Sequence, residues 1–119
     1  MNHIKENKLA DLSLAFAVEI ITLVKQLKEK KESIISNQIG RSGTSIGANI
    51  REANYAHGKA DFIAKMQIAL KEANETGYWL ELLIRTNYIN NELFESLDAM
   101  CTNLRVVLIK SINTARENK

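Results

Sequence analysis

Apolar residues return at three- and four-residue steps in four separate stretches of the chain. The first stretch covers about residues 8–31, where Leu9, Leu12, Phe16, Ile20, Leu23, Val24 and Leu27 share one helical face. Leu14, Val18 and Ile21 add a second, flanking stripe. An apolar face that wide predicts more than one packing partner. Cations at Lys28, Lys30 and Lys31 suit the negative end of the helix dipole. Glu32-Ser33 then reads as a short turn, with Ser33 as the N-cap of the next helix.

The second stretch, about residues 34–56, carries Ile35, Ile39, Ser42, Ile46, Asn49, Ala53 and Ala56 in a heptad seam. Gly58 reads as the break before the third, about residues 59–88, whose inner face holds Phe62, Met66, Ala69, Ala73, Leu80 and Ile84. Asn90-Asn91 marks the turn into the fourth, about residues 91–116. There Leu93, Leu97, Met100, Leu104 and Val107 face inward, followed one turn round by Cys101, Leu108 and Ile112. Each helix is roughly 30–40 Å long at the usual rise. Connections of a few residues force sequence neighbours to run antiparallel. The pattern therefore predicts an all-α, up-down-up-down four-helix bundle, with residues 1–119 as one domain.

Composition sharpens this picture. The chain of 119 residues contains no proline, which favours long uninterrupted helices. A single cysteine, Cys101, excludes an internal disulfide and fits a reducing compartment. Residues 1–8 lack the basic-then-apolar order of a signal peptide, and no apolar run approaches bilayer length. A cytoplasmic protein without membrane contact is the expectation. The net charge of +2 is too small to argue for nucleic acid by itself.

The second helix is the least ordinary. Gly40, Gly43 and Gly47 share a face, and each costs up to about 1 kcal/mol relative to alanine inside a helix. A stripe of small residues lets a neighbouring backbone approach closely. Beside it runs a polar ridge of Gln38, Ser42, Ser45, Asn49 and Glu52. Buried polar groups must find partners, and such partners fix register and assembly. Four readings stay open: a packing and polar-seam helix, a phosphate-cradling loop, a surface presenting Arg41 and Arg51 to RNA, or a helix broken by its glycines. The phosphate loop lacks the Lys-Ser or Lys-Thr that should follow the last glycine.

Glu72 and Glu75 lie three apart on the third helix and share a face. They pair with Arg41 or a lysine across a helix interface, or they hold a metal. The di-iron pattern of helical bundles needs Glu-x-x-His, and neither His3 nor His57 follows a glutamate at that spacing. No metal and no cofactor is expected. Trp79 reads as core or subunit interface rather than as a stacking platform for bases. No nucleophile, base and orienting group come together in the pattern, so the chain is expected not to be an enzyme. Basic residues cluster at Lys25, Lys28, Lys30 and Lys31, and again at Arg105, Lys110 and Arg116. They are a solvated surface or, multiplied by oligomerisation, a ring of positive charge.

The run Gln38…Arg41-Ser42-x-x-Ser45-Ile46-x-Ala48-Asn49-Ile50-x-Glu52-Ala53 resembles the signature of the bacterial four helix bundle protein family. That family includes proteins encoded in intervening sequences of 23S rRNA genes. The accessory variability proteins of diversity-generating retroelements are similar. Phe62, Ala69, Lys71-Glu72-Ala73, Glu75-Thr76, Tyr78-Trp79-Leu80 and Leu82 match the family's third helix, and the likeness runs from about Leu9 to Ile112. The resemblance implies a ring-shaped homopentamer of antiparallel bundles. It also implies association with structured RNA such as rRNA, or with a reverse transcriptase. On this basis Lys25, Lys28, Lys30, Lys31, Arg105 and Lys110 are the candidate nucleic-acid contacts. Gln38, Arg41, Ser42, Ser45, Asn49, Glu52, Glu72 and Glu75 are the candidate structural and oligomer seam. The alternative is a protein–protein adaptor that docks a reverse transcriptase or another partner without touching nucleic acid.

Overall fold

The computed structural model describes residues 3–118, with side chains from residue 8 onward. Four helices follow one another: α1 His3–Glu29, α2 Ile34–Asn54, α3 Lys59–Arg85 and α4 Asn91–Glu117. They lie along a rod of 49 × 21 × 19 Å. α2 packs on α1 and α3, α3 packs on α4, and α1 meets α4 in the lightest of the four contacts. Diagonally related helices do not meet among the described residues. The arrangement is an all-helical, antiparallel bundle around one core.

That core is the inner stripe of each helix. Phe16, Ile20, Leu27, Ile39, Ile46, Ile50, Leu80, Leu83 and Leu108 are fully buried in it. Burial of such side chains contributes roughly 1.5–3 kcal/mol each. The glycines do not interrupt α2, which is continuous over 21 residues.

The helix ends depart from the sequence reading in instructive ways. α1 stops at Glu29, two residues before the expected 31, and α3 stops at Arg85 rather than 88. Both stops have the same cause. Lys31 and Asn87 adopt left-handed backbone (φ 63° and 64°). The next amides, of Glu32 and Tyr88, then donate back to the carbonyls of Leu27 (2.9 Å) and Leu83 (3.0 Å). This six-to-one closure satisfies carbonyls that a helix end leaves free.

Ser33 does not cap α2 with its side chain. Glu32 does so instead. Its buried carboxylate accepts from the amides of Ile35 (2.9 Å) and Ser36 (2.7 Å), and its carbonyl accepts from Ser36 Oγ (2.8 Å). A longer acid starting one position earlier reaches the same amides, which a search for the usual Ser, Thr, Asp or Asn cap misses. At α4 the expected cap holds: Asn90 Oδ1 accepts from the Leu93 amide at 2.8 Å. α2 ends at Asn54 rather than 56, and Gly58 then leads into α3 with extended backbone that any residue adopts. The break there is a four-residue connection and not a glycine requirement.

Candidate functional site

The two flanks of α2 face different neighbours. The small-residue flank lies against α1. A β-carbon at Gly43 would stand 2.9 Å from both γ carbons of Ile20, one at Gly47 3.2 Å from Ser13 Oγ, and one at Gly40 3.3 Å from a Val24 methyl. Glycine is therefore a packing requirement at Gly43, where the Ile20 side chain occupies the space a methyl would need.

On the polar flank, Ser42 and Glu52 reach α3. Ser42 Oγ and Thr76 Oγ1 are 2.8 Å apart and buried. Arg41 spans two carboxylates, reaching Glu72 at 3.0 Å with one terminal nitrogen and Glu75 with the other. Trp79 Nε1 donates to the same Glu75 oxygen at 3.0 Å, and the Tyr78 ring meets Trp79 edge-on. Lower on the seam, Lys65 pairs with Glu52 at 3.2 Å. Asn49 turns back on its own helix, donating to the Ser45 carbonyl (2.9 Å) and hydroxyl (3.1 Å). Gln38 is exposed. The structure thus brings Arg41, Ser42, Glu72 and Glu75 together inside one chain. Thr76, the partner that completes the buried pair, falls on the inner-face spacing of Ala69, Ala73 and Leu80, but that spacing does not say which residue of α2 it meets.

The lysine-rich end is built by the α1–α2 corner. Lys30 Nζ donates to the Tyr88 carbonyl at 2.9 Å, tying this corner to the α3–α4 turn at the same end of the rod. Lys28 Nζ donates to Asn37 Oδ1 at 3.1 Å. Lys25, Lys28, Lys30 and Lys31 are all exposed. Arg105 and Lys110 are not beside them. At 1.5 Å per residue they stand roughly 21 and 28 Å down α4 from that end. Arg105 is half-buried, with one terminal nitrogen on Thr102 Oγ1 (3.0 Å) and its Nε buried without a partner. The six basic residues therefore form two separated groups. Glu92 and Glu95 open α4 at the lysine end, so that end is basic on its α1 side and acidic on its α4 side.

Cys101 is fully buried and its thiol points at the Ala73 carbonyl, 3.2 Å away. Burial pushes its pKa from 9.0 up to about 11. Arg105 nearby pulls the other way and Asp98 adds to the rise. A thiol so held is not a nucleophile at neutral pH. Among the described residues no group of three or more histidine, cysteine, aspartate or glutamate side chains is gathered to hold a metal ion. Nor is any helix long and apolar enough to cross a membrane.

Residues 5–110 match the family described as 23S rRNA-intervening sequence protein. A solved structure is also similar: a protein of unknown function from the S23 ribosomal protein family of Bacteroides thetaiotaomicron. It is 58% identical, with a TM-score of 0.90, over 92% of this chain and 98% of that one. No curated protein matches the sequence.

Proposed function

This chain belongs to the 23S rRNA-intervening sequence protein family, and on that premise we propose that it is a cytoplasmic, non-enzymatic bundle that self-assembles into a ring of five and binds structured RNA. The observation that carries the RNA reading is the lysine corner. Lys30 and Lys31 stand exposed at its tip, with Lys25 and Lys28 on the flank below. Lysine ammonium groups recognise phosphate as point charges, without reading sequence. One chain has a modest net charge, and a ring repeats the corner around its axis, which raises the local field. The α2–α3 polar seam supports this indirectly, by holding the scaffold that presents the corner.

The test is a fluorescence-anisotropy titration with a structured rRNA fragment at two salt concentrations. Binding that weakens steeply with salt supports several phosphate contacts. Lys30→Glu with Lys31→Glu should weaken it by roughly tenfold or more. Absence of binding at low salt overturns the RNA reading.

A protein-docking role is the second reading, with a reverse transcriptase as one form of partner. It is favoured by Leu14, Val18 and Ile21, which stand exposed in a row on α1. Docking of that kind should depend little on salt.

A further inference from the structure

α1 carries an outward seam that its own chain leaves open. Asp11, Leu14, Val18, Ile21, Lys25 and Lys28 follow steps of 3, 4, 3, 4 and 3 and are all exposed. Leu14 and Val18 are 57% exposed and Ile21 44%. The core stripe of the same helix, with Phe16, Ile20 and Leu27, is fully buried elsewhere. Beside the seam runs a shallow groove lined by Ala17, Thr44, Gly47 and Ala48, with Arg51 and Glu52 also on its wall. Its small side chains admit a close helix.

α4 carries a second outward seam with the same steps: Glu92, Glu95, Ala99, Thr102, Val106 and Ile109. All six are exposed, Val106 by 45% and Ile109 by 46%. This is the spacing by which helices pack side by side.

We propose that the α1 seam of one copy docks antiparallel on the α4 seam of a second copy. This inference rests on the self-assembly reading above and names its interface. The argument is register and charge. α1 ends, and α4 begins, at the lysine end of the rod. Two copies standing in the same direction therefore set Lys28 against Glu92 and Lys25 against Glu95, which leaves Lys30 and Lys31 as the phosphate-facing pair of the corner in the assembled ring. Ile21 then meets Ala99, Val18 meets Thr102 and Leu14 meets Val106. Asp11 arrives beside Ile109 and Lys110, so the charge order reverses on both helices together. The apolar middle supplies the affinity, and the charged end sets register and excludes the wrong pairing.

The seams also lie on different flanks. The α1 groove is shared with α2, and Ile109 lines a groove shared with Gln67 and Leu70 of α3. Each copy can use both seams at once, which makes the contact head-to-tail and lets it propagate or close into a ring. Pairing α1 with α1 would place Lys28 near Asp11 but Lys25 against Leu14. It would also leave Val106 and Ile109 uncovered.

Sedimentation velocity of the full chain over a range of concentrations tests this. The wild-type protein is expected to be an oligomer. Lys25→Glu with Lys28→Glu, and separately Glu92→Lys with Glu95→Lys, should each raise the concentration for half-assembly roughly tenfold or more. The fourfold charge-swapped variant should assemble again. Far-UV circular dichroism confirms that each variant is helical, and recovery in the swapped variant cannot come from misfolding. An oligomer indifferent to both reversals overturns this interface and leaves assembly standing. Dissociation by the α1 reversal without rescue by the α4 reversal overturns the pairing with α4. A monomer at every concentration overturns the assembly reading itself.

Discussion

Ser42 donates its hydroxyl to Thr76 across the α2–α3 contact. The two oxygens are 2.8 Å apart, and Thr76 spends its own proton on the Glu72 carbonyl, also at 2.8 Å. The direction matters because both residues are fully buried. Thr76→Val leaves the Ser42 proton without its partner and should destabilise by about 1–3 kcal/mol, whereas Ser42→Ala leaves Thr76 satisfied and should cost about 1 kcal/mol. The double variant removes both polar groups and should be less destabilised than the sum. Urea denaturation of the four proteins measures this coupling. Strict additivity would mean that the pair does not act as a unit.

Gly43 and Gly77 sit in helix interiors, and alanine should act on them with opposite sign. A methyl at Gly77 meets nothing within 4 Å, so Gly77→Ala should stabilise by up to about 1 kcal/mol through helix propensity. At Gly43 the methyl meets the fully buried Ile20, a β-branched side chain with little freedom to move aside. Overpacking of that kind costs about 1–3 kcal/mol and outweighs the propensity gain. Thermal melts of the two variants are expected to shift in opposite directions.

Arg41 holds two acidic side chains on one face of α3. The Glu72 side chain is only 12% exposed, while Arg41 is 51% exposed. Arg41→Ala should destabilise by about 1–2 kcal/mol, a value reduced by solvent screening at the arginine. Arg41→Lys keeps the charge but cannot fork to both carboxylates, so it should recover only part of the loss. Denaturation in low and high salt separates the contributions, and the loss in Arg41→Ala should shrink as salt rises.

Cys101 should resist thiol reagents in the folded protein. With its pKa raised from 9.0 to about 11, the thiolate fraction near neutral pH falls roughly 100-fold, and burial blocks access besides. Maleimide labelling should be slow in buffer and fast in denaturant. The same shift has a pH signature with a definite sign. Above pH 9 the unfolded thiol ionises while the folded one stays protonated until about 11. Stability should therefore fall as pH rises through that window, and Cys101→Ala should remove this part of the slope.

Helix number, helix order and the inner stripes were legible in the sequence. Periodicity is a local property: Phe16, Ile20 and Leu27 reveal their face from spacing alone, whatever they pack against. The small-residue and polar flanks of α2 were visible for the same reason. Rotation and partnership were not, because a helical period does not say which neighbour stands on which side. Only the tertiary structure set the glycines on α1, put Ser42 and Glu52 of the polar ridge on α3, and found Thr76 opposite Ser42. It also replaced Ser33 by Glu32 as the cap, since reach from the α1–α2 corner decides which oxygen meets the amides. Arg105 and Lys110 were grouped with the lysines by charge. The axial rise of α4 carries them down the rod, because position along a helix axis counts as much as residue type.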